Sequence, residues 1–406
     1  MNRWLKILVS LILIALCSCD ASDPDISSEA TPRRGQVIRV DELERYSAQE
    51  VNQVFEDFGI PVTARFGMTI YLMEYVTIDL KGEPTLASGA VLIPQPILGE
   101  ISIVSFQNFT TVRRSSVPSR GGQEQILVGM LFSGDGYLTV MPDMIGLGSS
   151  TELHPYLIAD VSATTVIDML RSVMQWSTTT SWSVSEDVYL AGYSSGGYVT
   201  MATHRAIETD YSDDFSVAAS APMAGPYDLS GTMLEVMLRS EPYGQPYFLP
   251  YLLMSYNHAY DLYESPSDFL KSPYDQILPP LFDGTHSSAE INAAMPNVPV
   301  QIIRSDVLQR VQEDENHKII QRLRENDLIN WNPRSPIRLY QCAADMLVPI
   351  KNSQRAVQEF GSISMLVDPS PESGHTSCAL SAIARSRAWF NSIVTDRSSD
   401  MAKEIP

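Results

Sequence analysis

Val188-Tyr189-Leu190-Ala191-Gly192-Tyr193-Ser194-Ser195-Gly196-Gly197 is an apolar run that ends in a G-x-S-x-G turn and continues into a helix-like stretch over residues 198–208. A serine on a tight strand-to-helix turn projects its hydroxyl above the sheet, and glycines at Gly192 and Gly196 let neighbouring backbone pass close to it. A hydroxyl is a poor nucleophile until a base takes its proton. Ser194 therefore needs a histidine and an acid, in the chain order serine, acid, histidine. Both follow it: Asp345 lies in Leu339-Tyr340-Gln341-Cys342-Ala343-Ala344-Asp345-Met346-Leu347-Val348-Pro349, and His375 in Ser373-Gly374-His375-Thr376. The chemistry open to this set is acyl transfer, with Ser194 attacking a carbonyl, His375 taking its proton and Asp345 orienting the imidazole.

Other polar residues compete for attention. Asp228, just after the strand that follows the turn, is a second position for the acid. His154, His204, His258, His286 and His317 read as capping, surface or packing residues. They form no metal-ligand spacing such as H-E-x-x-H, and the chemistry requires no metal or organic cofactor. Glu313-Asp314-Glu315 reads as a solvated helix face.

A nucleophile, a base and an acid so far apart in sequence must be brought together by a sheet. Strand patterns run over 69–80, turning at Lys81-Gly82-Glu83-Pro84, then over 87–94, 101–106, 137–143, 217–221, 337–341 and 364–367. The first two form an antiparallel pair. The capping box Ser47-Ala48-Gln49-Glu50 opens a helix over 48–58, and helical spacing recurs over 159–176 and 379–393. An antiparallel start followed by alternating strands and helices predicts an α/β fold, a mostly parallel sheet with helices on both faces. Residues 229–335 break that rhythm. They are rich in Tyr, Leu, Pro and Met and then turn helical and charged, so they read as a helical cap inserted between core segments 37–228 and 336–406. The cap's apolar surplus, with Met233, Met237 and Met254, suits a role in substrate choice as well as its own packing.

The chain has 406 residues, 44% of them hydrophobic and 9% aromatic, enough for a sizeable core. Its net charge of −20 argues against nucleic acid and against electrostatic docking on anionic lipid. At the N-terminus Arg3 and Lys6 precede the apolar run 7–16 and Cys17-Ser18-Cys19-Asp20. The run is too short to span a bilayer and reads as a secretory signal over 1–18. Leu16-Cys17-Ser18-Cys19 resembles a bacterial lipobox, with Cys19, after the small Ser18, as the lipidated residue. The expected product is an exported lipoprotein, anchored to a membrane through acyl chains and facing the periplasm or the cell exterior, with residues 19–36 as a polar tether. Cys342 and Cys378 then remain. They stand three residues before Asp345 and three after His375, so they lie on the same two loops and form a candidate disulfide; two small buried thiols are the alternative.

With these residues in place, the chain from about 65 to 395 resembles the α/β-hydrolase superfamily. Within it, the chain is similar to bacterial esterases and lipases of the secretory-lipase type. The agreements are Gly136-Tyr137, Pro142-Asp143-Met144-Ile145-Gly146-Leu147-Gly148, His154-Pro155-Tyr156, Asp168-Met169-Leu170-Arg171, the turn at Ser194, and Gly225-Pro226-Tyr227-Asp228-Leu229. The resemblance implies hydrolysis of a small-molecule or lipid carboxylic ester. It also implies an oxyanion hole made by the backbone N–H of Ser195 and one from the loop after the third strand. That loop reads Gln107-Asn108-Phe109-Thr110 where such enzymes commonly read His-Gly-Thr, and by position Thr110 supplies the second N–H. Two other readings stay open. A prolyl-oligopeptidase-like serine peptidase is suggested by Gly196-Gly197 and Asp345-x-x-Val348-Pro349, although such enzymes usually carry a propeller first. A non-catalytic binding lipoprotein on the same scaffold is the other.

Overall fold

The structure, a computed structural model, describes residues 32–121, 123–370 and 374–403. The leader, Cys19 and most of the tether lie outside the described residues. The folded body begins at Arg33. Residues 33–36 had read as the end of the tether, yet they are docked: Gly35 N–H donates to Val76 O at 2.9 Å. The Arg34 Nε lies 3.0 and 3.2 Å from the two oxygens of Asp168. Asp168 is fully buried and also holds Arg171 at 3.0 Å and the Thr77 hydroxyl at 2.9 Å. A buried carboxylate is costly without such partners, and Arg34 supplies one of them.

Nine strands form one sheet: β1 (Val37–Tyr46), β2 (Gly67–Ile78), β3 (Pro84–Gln95), β4 (Ile101–Gln107), β5 (Leu138–Pro142), β6 (Val184–Tyr193), β7 (Ser216–Met223), β8 (Arg338–Cys342) and β9 (Ser364–Asp368). Their order is β1-β2-β3-β5-β4-β6-β7-β8-β9. The pairs from β1 to β5 across the first half are antiparallel, and every pair from β5-β4 to β8-β9 is parallel. The reading from sequence passed over β1. It is an edge strand that carries Arg39, Asp41, Glu42, Glu44 and Arg45, mostly toward solvent. Such charges keep an exposed edge from pairing with another chain, and they also erase the apolar alternation by which a strand is recognised.

Helices α1 (Ala48–Asp57), α2 (Gln123–Ser133) and α12 (His375–Lys403) cover one face, where Phe55, Phe132 and Phe390 join one core cluster. The other face is covered by α3 (Ala159–Ser177), α4 (Ser195–Asp210) and α11 (Lys351–Phe360), together with the insertion between β7 and β8. The capping box opens α1 as its sequence predicts, with Ser47 N–H donating to Glu50 at 2.7 Å. Helix α11 was not foreseen because its buried face includes Asn352, Ser353 and Ala356, too polar and small to show an apolar stripe.

The insertion holds the short helices α5 (Leu234–Met237), α7 (Tyr274–Ile277) and α8 (Ser288–Ala293), and the longer α6 (Phe248–Tyr260), α9 (Ser305–Glu313) and α10 (Lys318–Glu325). No named strand interrupts them among the described residues. Met237, Leu249, Leu252, Phe269, Val307 and Leu323 surround a small apolar cavity of about 50 Å³, so part of the insertion's apolar surplus is its own core. Of the run Glu313-Asp314-Glu315, only Glu313 lies on a helix, as the exposed last residue of α9; Asp314 and Glu315 form the break before α10, with Asp314 Oδ1 accepting from Asn316 N–H at 2.9 Å. No helix among the described residues is long and apolar enough to cross a membrane.

Candidate active site

The central strand β6 ends at Tyr193 and α4 begins at Ser195, so Ser194 is the whole turn between them. Its backbone sits at φ 61° and ψ −123°, a region that side chains avoid and that persists only where the surroundings impose it. Three close approaches impose it here. A Cβ on Gly192 would lie 2.3 Å from Gly196 O, one on Gly196 would lie 2.0 Å from Gln107 O, and one on Gly197 would lie 2.4 Å from Met223 O. Ser194 N–H donates to Met223 O at 2.8 Å, which pins the turn to the end of β7. The strain lifts the Ser194 hydroxyl off the sheet toward the ends of β8 and β9.

From that side come the other two residues. β8 delivers the turn that carries Asp345, whose Oδ1 accepts from the N–H groups of Leu347 at 3.0 Å and Val348 at 2.8 Å. Its Oδ2 accepts from Gln341 Nε2 at 3.0 Å and from His375 Nδ1 at 2.6 Å. A carboxylate oxygen can only accept, so Nδ1 carries the proton and Nε2 is left as an acceptor. Nε2 lies 2.8 Å from Ser194 Oγ. Asp345 and Ser194 are buried, and the His375 side chain is 9% exposed. His375 opens α12, and its carbonyl accepts from the Tyr193 hydroxyl at the end of β6. Cys342 and Cys378 are bonded, with Cα atoms 6.1 Å apart, and join the Asp345 turn to the His375 helix. A closure over 36 residues contributes roughly 3–4 kcal/mol in the chain-entropy account.

Asp228 is not part of this chain of contacts. Its Oδ2 accepts from Thr232 N–H at 2.9 Å and Thr232 Oγ at 2.6 Å, capping the turn Leu229–Met233, and Arg355 lies 3.9 Å away. Of the other histidines, His258 lies in the last turn of α6, and the remaining four have local partners. His154 Nδ1 contacts Ile145 O at 2.7 Å, and burial lowers its pKa to about 4, so it stays neutral. His204 pairs with Glu208 at 3.1 Å, His286 with Asp283 at 3.0 Å, and His317 accepts from Ile319 N–H at the start of α10.

The loop after β4 lies against the elbow, since Gln107 O and Asn108 O are the atoms that a Cβ on Gly196 would strike. The Gln107 side chain ties the loop down, donating to Ser105 Oγ at 2.7 Å and accepting from Thr200 Oγ of α4 at 2.6 Å. The Thr110 hydroxyl bonds the Tyr156 hydroxyl at 3.1 Å, and Tyr251 of α6 donates to Thr111 O at 3.2 Å. Tyr156 and Tyr251 stack with centroids 4.6 Å apart. The N–H groups of Phe109 and Thr110 donate to no backbone carbonyl among the described residues. Ser195 is the first residue of α4, where backbone N–H groups have no helical partner.

Two features near the site went unread in sequence. Gln341 stands among apolar neighbours in β8, and a buried amide in a strand is itself a signal of a specific partner. Tyr193 carried no signal beyond its place in the motif, because its contact with His375 spans 182 residues.

Residues 118–236 match the secretory lipase family model. Among solved structures, a protein from Legionella pneumophila is 26% identical with a TM-score of 0.82, over 88% of this chain and 98% of that one. The rice cell wall degrading esterase LipA from Xanthomonas oryzae is 26% identical with a TM-score of 0.77, over 92% of this chain and all of that one. Candida antarctica lipase A in its closed state, at 15% identity and a TM-score of 0.65 over 86% of this chain and 79% of that one, shares the fold. No curated protein matches the chain. The chain is an α/β-hydrolase of the lipase and esterase type, a carboxylic ester hydrolase.

Proposed function

We propose that the chain is a serine esterase that cleaves its substrate through an acyl-enzyme on Ser194. The observation that carries this reading is the unbroken run of hydrogen bonds from Asp345 through His375 to Ser194 at a strained elbow. Ser194 Oγ attacks the ester carbonyl while His375 Nε2 takes its proton, and the imidazolium that forms is stabilised by the buried Asp345 carboxylate. The N–H groups of Ser195 and Thr110 receive the oxyanion. The proton on Nε2 then passes to the departing alkoxide, which leaves as the alcohol. Water, deprotonated by the same nitrogen, releases the acid and restores Ser194. The insertion acts as a cap over the acyl-binding side. The buried Tyr156–Tyr251 stack packs α6 of the insertion against the Thr110 loop and so couples the insertion to that loop.

A fluorophosphonate should label wild-type Ser194 and leave Ser194→Ala unlabelled, and a panel of aryl esters of graded acyl length should be hydrolysed where matched peptides are not. Peptide cleavage without ester cleavage would favour the peptidase reading. An inert wild-type Ser194 would favour a binding scaffold.

The secretory-lipase match also suggests export. We place the lipid anchor at Cys19, on the strength of the lipobox-like Leu16-Cys17-Ser18-Cys19. Mass spectrometry of the mature N-terminus should find an acylated Cys19, and Cys19→Ser should release the protein in soluble form. An unmodified terminus at Asp20 or later rules the anchor out.

A further inference from the structure

We propose that Gln341 is a positioning residue that fixes the orientation and tempers the charge of the Asp345 carboxylate, a role that rests on the acyl-enzyme reading above. Gln341 is 1% exposed, and each of its polar atoms has a partner. Nε2 donates to Asp345 Oδ2 at 3.0 Å and to Val348 O at 3.0 Å, and Oε1 accepts from the Ser353 hydroxyl of α11 at 2.9 Å. Carboxylate and carbonyl oxygens accept only, so the amide nitrogen must face them and the amide oxygen must face Ser353. The amide therefore has one orientation, set by those two acceptors, and the buried Ser353 hydroxyl completes its contacts.

The consequence falls on the oxygen that matters. Asp345 Oδ2 receives both His375 Nδ1 and Gln341 Nε2, so part of its negative charge is spent on a neutral donor. Without that donor the carboxylate would hold the imidazolium more strongly and could also rotate about its own bond. The first effect ties the imidazole proton more tightly to the pair. The second degrades the His375 to Ser194 alignment.

Among the described residues, other titratable groups near the pair are Tyr193 of β6, Tyr243 of the insertion and Tyr227 after β7. Burial raises all three phenols, so they remain neutral across the working range. Tyr243 donates to Leu347 O at 2.8 Å. Lys351 on α11 is paired with Glu235 at 2.7 Å, and Asp368 at the end of β9 accepts from Ser370 N–H at 3.0 Å.

The test is the pH profile of Gln341→Met on an aryl ester, normalised to the fraction of Ser194 that a fluorophosphonate titrates. A hydrogen bond to a charged group is strong enough for its loss to lower kcat by about ten- to a hundredfold, with KM within about twofold. The acid limb of kcat/KM should also move to higher pH. A packing role alone would lower the whole profile without displacing its limb, and that result overturns the proposal. So does wild-type kcat in a folded Gln341→Met. If Gln341→Met fails to fold, Ser353→Ala carries the test: it removes the partner of the amide oxygen and loosens the amide, so a smaller loss with a smaller displacement is expected, and an undisplaced limb overturns the role. The acyl-enzyme reading fails separately, if wild-type Ser194 takes no label.

Discussion

Ser194→Ala and His375→Ala should each lower ester turnover by on the order of 10⁴-fold or more while leaving the melting temperature close to wild type, and the double variant should be no worse than either single one. The effects coincide because either change ends the same proton transfer across the 2.8 Å contact between Nε2 and Oγ. Removing Ser194 also relieves none of the elbow's geometry, since the close approaches at Gly192, Gly196 and Gly197 are backbone contacts.

Asp345→Asn belongs with them, for a more specific reason. The two N–H groups of Leu347 and Val348 face Oδ1, so an asparagine would keep its oxygen there and place its NH₂ where Oδ2 stood. That NH₂ would meet a donor at Gln341 Nε2 and would force His375 Nδ1 to accept, moving the imidazole proton to Nε2. The base is then lost, at a cost of about 10⁴ in kcat. Asp228→Asn is the comparison. It should lose only about 1 kcal/mol of stability through the weakened cap on Thr232, with turnover nearly intact. If Asp228→Asn were inactive and Asp345→Asn active, the acid would be Asp228.

These contrasts also mark what a sequence can carry. Ser194, Asp345 and His375 were legible because each follows a strand-like run and the chemistry demands their order. The sequence favours Asp345 over Asp228, and the His375 Nδ1 contact falls on Asp345. The parallel core was legible from apolar strands, and β1 was hidden by its edge charges. Residues 33–36 were read by composition as tether, although a single arginine reaching a buried Asp168 is enough to dock them. Contacts such as Gln341 to Asp345 and Gln107 to Thr200 depend on rotamers and on crossings between elements, and no spacing rule encodes them.

Gly196→Ala should be nearly as damaging as loss of a site residue, and the reason lies outside helix propensity. Gly196 is in the first turn of α4, where alanine would ordinarily favour the helix by about 1 kcal/mol. Its φ is not among the positive ones, so no backbone strain opposes the change. What opposes it is space: the new methyl would sit 2.0 Å from Gln107 O and 2.6 Å from Asn108 O, both backbone atoms that no side-chain rotation can move aside. The loop after β4 must then retreat from the elbow by more than about 1 Å to restore ordinary contact. That loop carries the Thr110 N–H, and a misplacement of this size at an oxyanion donor costs about a hundredfold or more in kcat. Stability should fall by roughly 1–3 kcal/mol, as overpacking does, which leaves the protein folded. Kinetics and calorimetry on the same preparation separate the two effects. Gly82→Ala, at a left-handed turn with no neighbour within 4 Å of the added carbon, supplies the control and should lose stability without losing turnover. Wild-type kcat in a folded Gly196→Ala would mean that the loop need not rest against the elbow, and Thr110 would lose its place as an oxyanion donor.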